Sequence, residues 1–215
     1  MIGKYNNYKI FEGVYWHAIE GLTLYGDHYP EYYDSNHYGI LFSLIIAPFA
    51  LLPEWLGIIL WIAGNTALLF YAISRLPLSS TQKIIIYWYS YCELMTAQGV
   101  QQFNISVAAF ILLSFVLILE KKDFWAAGII MLGTFIKILG LAFFFFSRQK
   151  VRLLASCLFW GLVCFVIPVL YTPGFEYVIS QYIDWFERLK VKNMLNMFAD
   201  PQNISLLGVV RKISG

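Results

Sequence analysis

Charge divides this sequence into segments, and the spacing of the divisions leaves the chain one natural solvent. Between Tyr38 and Tyr171 the charged residues gather mostly in short breaks, Glu120-Lys121-Lys122-Asp123 and the trio Arg148, Lys150 and Arg152. Between the breaks run uncharged stretches of roughly 20 residues, the length a helix needs to cross bilayer hydrocarbon. The composition agrees. Of 215 residues 60% are apolar and 13% charged, against about 45–50% and about 25% in an ordinary soluble domain. A domain of this size has too little interior to hide so much hydrocarbon from water. The net charge of +2 excludes a charge-driven nucleic-acid binder. The expected fold is therefore all-α, a polytopic integral membrane protein.

The uncharged stretches predict Trp55–Ser74, Phe124–Ser147 and Leu153–Tyr171 as the clearest spans. Gly99–Leu119 is a fourth, with a polar start at Gln101, Gln102 and Asn104. Tyr38–Leu52 is shorter and closes at Leu52-Pro53-Glu54, proline being suited to a first helical turn. Ile84–Ala97 is short and carries Glu93, so it reads as a half-crossing or tilted helix. These make about six transmembrane or half-membrane helices. Alternation of six crossings places four basic residues on one side and three on the other, which leaves the orientation open. Residues 1–10 lack the apolar core of a cleavable signal peptide. Cys157 and Cys164 are about 10 Å apart along one helix, too far for a disulfide, so the three cysteines read as small buried hydrophobes.

Both ends are more polar, which divides the chain into 1–37, 38–171 and 172–215. Asn7–Glu20 repeats Ile10, Phe11, Val14, Ala18 and Ile19 at helical spacing. From Pro173 to Lys192, Phe175, Val178, Tyr182, Trp185 and Leu189 form a second stripe. Two amphipathic helices lying on the membrane are expected. Between the first of them and Tyr38 the run Tyr25 to Tyr38 concentrates tyrosines, acids and two histidines. One reading is an interfacial aromatic belt; the other is a loop in which tyrosines stack on a sugar and a carboxylate takes a hydroxyl proton. Asp27 with His28, or Asp34 with His37, lacks tight metal-ligand spacing, so no metal ligand is named. Lys137 falls near the middle of its predicted span, where a charge costs about 3 kcal/mol on insertion scales. It calls for an anionic ligand or for a counter-charge such as Glu93. Phosphate-cradling glycine loops, nucleophile elbows and HExxH motifs do not occur.

The order of several pieces resembles glycosyltransferase family 87, a group of GT-C-type polytopic enzymes that includes polyprenyl-phosphate-mannose-dependent mannosyltransferases. The residues carrying the resemblance are Asn7-Tyr8-Lys9-Ile10-Phe11, Gly21, Leu24-Tyr25, Tyr38, Pro48-Phe49-Ala50-Leu51-Leu52-Pro53, Leu60-Trp61 and Asn65. They continue with Gln102-Phe103-Asn104, Ala127-Gly128, Gly133 and Lys137, and end with Asn203-Ile204-Ser205-Leu206, Gly208 and Arg211. The family has further helices on both sides, so the chain looks like an internal segment or a shortened, truncated member. Where the family places its catalytic Asp, this sequence has Asn7, and a carboxamide cannot accept the acceptor's proton.

The resemblance implies a hexosyltransferase whose donor is a polyprenyl-phosphate sugar, mannose-like, and whose acceptor is a glycan or glycolipid at the extracytoplasmic face of a bacterial inner membrane. Membrane lipid is a further partner, nucleic acid is not, and a divalent metal is compatible but not demanded. The expected base is Glu12, Asp27 or Asp34; the alternative is that this segment is an inactive copy. Tyr25, Tyr32 and Tyr33 hold sugar in this reading, Gln102 and Asn104 line a polar groove or cap a helix, Lys137 and Arg211 meet the phosphate, and Asn203 and Ser205 are further substrate-binding residues. The competing reading is a non-catalytic membrane protein, part of a transporter or a scaffold.

Overall fold

The computed structural model describes residues 5–137 and 149–198, with side chains through Met194. Among these residues it is all helical: α1 (Asn6–Glu20), α2 (Phe42–Ala50), α3 (Glu54–Arg75), α4 (Ser80–Gly99), α5 (Asn104–Leu119), α6 (Asp123–Lys137), α7 (Lys150–Val166) and α8 (Phe175–Phe198), with a 3-10 turn at Ile167–Leu170. α1 packs on α2, α3 on α5, α5 on α6 and α6 on α7.

Local chemistry sets the helix ends. α1 stops at Gly21, whose left-handed φ of 73° lets its N–H return to the His17 carbonyl. α3 begins directly after Pro53. α4 starts earlier than its apolar run implies, because Ser79 and Gln82 form a reciprocal capping box. α4 is a continuous helix of 20 residues that contains Ile84–Ala97, longer than a half-crossing and of a length that suits the tilted helix.

Two helices, Glu54–Arg75 and Lys150–Leu170 with its 3-10 turn, are long and apolar enough to cross a membrane, and Asn104–Leu119 is a shorter apolar helix. α7 turns Val151, Leu158 and Leu162 outward, and α4 turns Ile84, Ile85, Trp88 and Met95 outward. Apolar surface on this scale is covered by lipid or protein in a stable molecule.

The apolar stripes of both terminal helices are received by the protein itself. Ile10, Phe11, Val14 and Ala18 of α1 join Phe42, Trp61 and Phe103 in one core with Val178, Tyr182 and Trp185 of α8. The two polar ends are thereby brought to one place. A second core joins α3 to α5 through Leu69, Ile73, Ile105 and Ala109, and there Ser106 donates to buried Asn65.

At one point the backbones nearly touch. The Gly39 N–H donates to the Ile136 carbonyl at 3.0 Å. A methyl group at Gly39 would sit 2.1 Å from the Phe135 carbonyl oxygen and 3.0 Å from the Trp185 ring. Only glycine lets the loop, α6 and α8 meet here. Gly39→Ala is expected to destabilise the fold by about 1–3 kcal/mol, the usual cost of overpacking, lowering Tm of the detergent-purified chain. Gly64→Ala, whose added methyl meets only the Phe49 ring at 3.8 Å, is expected to leave Tm unchanged.

Candidate functional site: a polar cavity beside an apolar groove

The meeting of the two ends encloses a cavity of about 460 Å³ lined by residues from five parts of the chain. α1 supplies Asn7, Ile10 and Phe11. The loop supplies Asp34, Ser35, His37 and Tyr38. Gln102 and Asn104 come from the start of α5, Lys137 from α6, and Leu189 and Lys192 from α8.

Hydrogen bonds hold most of these side chains. The Asn7 amide donates to the Val100 carbonyl at 2.7 Å. The Lys137 ammonium donates to Asn104 Oδ1 and lies 5.5 Å from the centre of the Tyr38 ring. Asn104 Nδ2 in turn donates to Gln102 Oε1 at 2.7 Å. Arg188 of α8 donates to Ser35, and Trp185 Nε1 donates to the His37 carbonyl at 2.9 Å. Asp34 adopts a left-handed φ of 74°, and its Oδ1 accepts the Ser35 N–H at 2.8 Å.

His37 is the least satisfied group in the cavity. Both ring nitrogens are buried without a hydrogen-bond partner among the described residues. Asp34 Oδ1 is 4.0 Å from His37 Nε2, too long for a hydrogen bond and short enough for a side-chain rotation to close. Burial lowers the His37 pKa from its ordinary value. The nearby Lys192, Arg188 and Lys137 cations lower it further, and Asp34 opposes them. The imidazole is therefore held toward its neutral, proton-accepting form. With Lys137 and Lys192 on the wall, the cavity can receive an anion beside a proton acceptor.

A second, apolar groove of about 430 Å³ adjoins the cavity. α3, α4 and α5 form it through Leu69, Ile73, Ile86, Leu94, Ile105 and Leu112. Gln102 and Asn104 line both spaces. Glu93 lies in the groove and forms no ion pair with Lys137, so the expected pairing of those two charges is corrected: the ammonium is satisfied by a carboxamide.

Of the sequence-derived candidates, Asp34, Gln102, Asn104 and Lys137 come together here. Glu12 and Asp27 do not line the cavity. The Glu12 pKa is raised by burial first and by the nearby Glu54 carboxylate second. Tyr25 and Tyr32 are corrections. Both are buried, the Tyr25 hydroxyl donates to the Tyr38 carbonyl at 2.9 Å, and the Tyr32 ring packs over Gly13, so neither offers a face to a sugar. Tyr33 is exposed and its N–H is held by Asn6 Oδ1 at 2.7 Å. Asn203, Ser205 and Arg211 lie outside the described residues, as does the second half of the span predicted to end at Ser147. As cavity residues, sequence reasoning missed Lys192, Ser35 and His37. The sequence signals for His37 are its place in the loop of tyrosines, acids and histidines and its spacing from Asp34.

Neither a curated protein nor a solved structure matches the chain. A family model does match, over residues 36–215, a stretch that begins two residues after Asp34 and takes in His37, Gln102, Asn104, Lys137 and Lys192. With that much of its length accounted for, the chain belongs to glycosyltransferase family 87.

Proposed function

We propose that the polar cavity is the transfer site for a hexose, mannose-like, moving from a polyprenyl-phosphate donor to a glycan or glycolipid acceptor at the extracytoplasmic face of a bacterial inner membrane. The observation that carries this reading is the shared wall at Gln102 and Asn104, where a polar, cation-bearing cavity abuts an apolar groove. A lipid-linked phosphosugar has the matching two-part chemistry: a hydrocarbon tail for the groove, and a charged phosphate and polar sugar for the cavity.

The steps follow from the residues present. Lys137 and Lys192 pair with the phosphate, as ammonium groups do. Asp34, with His37 beside it, takes the proton from the acceptor hydroxyl. The acceptor oxygen bonds to the anomeric carbon as the bond from that carbon to the phosphate oxygen breaks. Polyprenyl phosphate leaves carrying the electron pair, and its new charge faces the same two ammonium groups. Asn7 stands at the cavity wall where the family resemblance places an acid, and its carboxamide binds without accepting a proton. The expectations that Arg211 also meets the phosphate and that Asn203 and Ser205 bind substrate rest on the resemblance alone.

Membranes carrying the chain and radiolabelled polyprenyl-phosphate mannose provide the assay. Asp34→Asn is expected to lower kcat about 100- to 10,000-fold, the usual range for a lost general base. Wild-type rates in that variant, or in the donor KM of a Lys137→Met variant, would remove the cavity from the reaction. Lys137→Met is expected to raise that KM about 10- to 100-fold, since a charged hydrogen bond contributes about 1.5–3 kcal/mol.

The pH profile provides a further check. A lowered His37 pKa keeps the imidazole neutral above that value, so activity is full at neutral pH and falls as pH drops through a midpoint below the ordinary His value of about 6.5. Removing the cation that most lowers the His37 pKa with Lys192→Gln is expected to move that acid limb to higher pH, measured as kcat/KM against pH.

A further inference from the structure

Away from the cavity, the loop leading to Asp34 is folded onto α1 by two histidines and a carboxylate. His17 lies in the last turn of α1 with its side chain 4% exposed. Its Nε2 is 3.0 Å from Glu31 Oε2, and its Nδ1 is buried without a hydrogen-bond partner among the described residues. His28 stacks on it, with ring centres 3.9 Å apart and planes inclined by 25°. His28 Nε2 meets the Thr23 carbonyl oxygen at 2.8 Å. A carbonyl only accepts, so that nitrogen carries the proton and Nδ1 keeps its lone pair.

A hydrogen bond or ion pair from His17 Nε2 accounts for its contact with Glu31. It leaves the His28 Nδ1 lone pair and the buried His17 Nδ1 without a use. At His28 the arrangement matches what metal-binding imidazoles do: one nitrogen is left for a metal while the other donates to a backbone carbonyl that fixes the tautomer.

The distances agree. One donor atom from each of His17, His28 and Glu31 lies within 4.8 Å of the other two. Three atoms so placed share a point within about 2.8 Å of each, and zinc bonds to nitrogen and oxygen are about 2.0–2.2 Å, so closing the shell takes shifts of about 0.7 Å together with a rotation of the His28 ring out of the stack, because an imidazole lone pair lies in its ring plane. Glu31 and His28 sit on a loop, and the Glu31 side chain is 60% exposed, so such shifts need no repacking of the core.

We propose that His17, His28 and Glu31 bind one divalent transition metal of the zinc class, with water completing the coordination. Two imidazoles with one carboxylate suit that class, whereas magnesium and calcium prefer all-oxygen shells. None of the three residues lines the cavity. The metal therefore acts as a clasp between α1 and the loop, three residues ahead of Asp34. The site stands independently of the transfer reaction.

The test uses the full chain in detergent, carried on a tag free of histidine, stripped with chelator and titrated with Co²⁺ and then Zn²⁺. The expected result is saturable binding of one equivalent, with a cobalt d–d absorption that zinc displaces. A thiolate charge-transfer band is not expected, and Cys92→Ser binds as wild type. Zinc raises Tm. Glu31→Gln, a change at an exposed side chain, weakens binding at least tenfold and cancels the rise in Tm, and His28→Ala abolishes binding. If His28→Ala does not fold, Glu31→Gln decides. Failure to reach one saturable equivalent, or wild-type affinity in Glu31→Gln, overturns the proposal.

Discussion

The architecture hangs on a knot of aromatic rings. Phe11 of α1 packs edge-on against Tyr38 at 5.3 Å, Phe42 at 5.0 Å and Trp61 at 5.6 Å, and Trp61 stacks on Phe103 at 5.7 Å. Those rings come from α1, the loop, α2, α3 and the residue just before α5. Each such pair contributes about 0.5–1.5 kcal/mol beyond its burial, and edge-to-face geometry fixes direction as well as distance. The knot also reaches the site. Phe11 and Tyr38 form part of the cavity wall. Trp61 Nε1 donates to the Gln101 carbonyl, which pins the bend that turns the chain into Gln102 and Asn104. A cavity between helices needs walls that do not slide, and these rings hold them.

The helices were legible wherever a single physical signal dominated. For α3 the apolar run Trp55–Ser74 meets the observed Glu54–Arg75, because charge and proline mark both ends. α7 is similar. Hydropathy shortens α4, because its start is set by the Ser79 and Gln82 capping box, and the helix keeps an outward face, with none of its residues buried. The amphipathic stripes of α1 and α8 were visible, but periodicity says only that a face is apolar. It does not say whether lipid or protein covers that face.

The site was legible by residue type and hidden by distance. Lys137 stands out as a charge inside a span, Gln102 and Asn104 as the polar start of another and Asp34 as an acid in a tyrosine-rich loop, and they do meet. Lys192 lies in an unremarkable run of mixed charge, and only the packing of α8 against the loop shows that it lines the same cavity as Asp34. Tyr25 and Tyr32 mislead for the opposite reason. A tyrosine in a polar loop has the chemistry to hold a sugar, but the loop folds over α1 and buries both rings, and nothing in a loop sequence tells which side chains turn inward.

The seam at Gln102 and Asn104 bears on how such an enzyme is supplied. Under the proposed reading, the donor approaches sideways from the lipid phase and the spent carrier drains back the same way, so neither tail is ever wetted. Saturation is then governed by molecules per unit area of membrane rather than by bulk concentration. A cell can throttle or drive the reaction by changing how much carrier its bilayer holds, with no change in the protein.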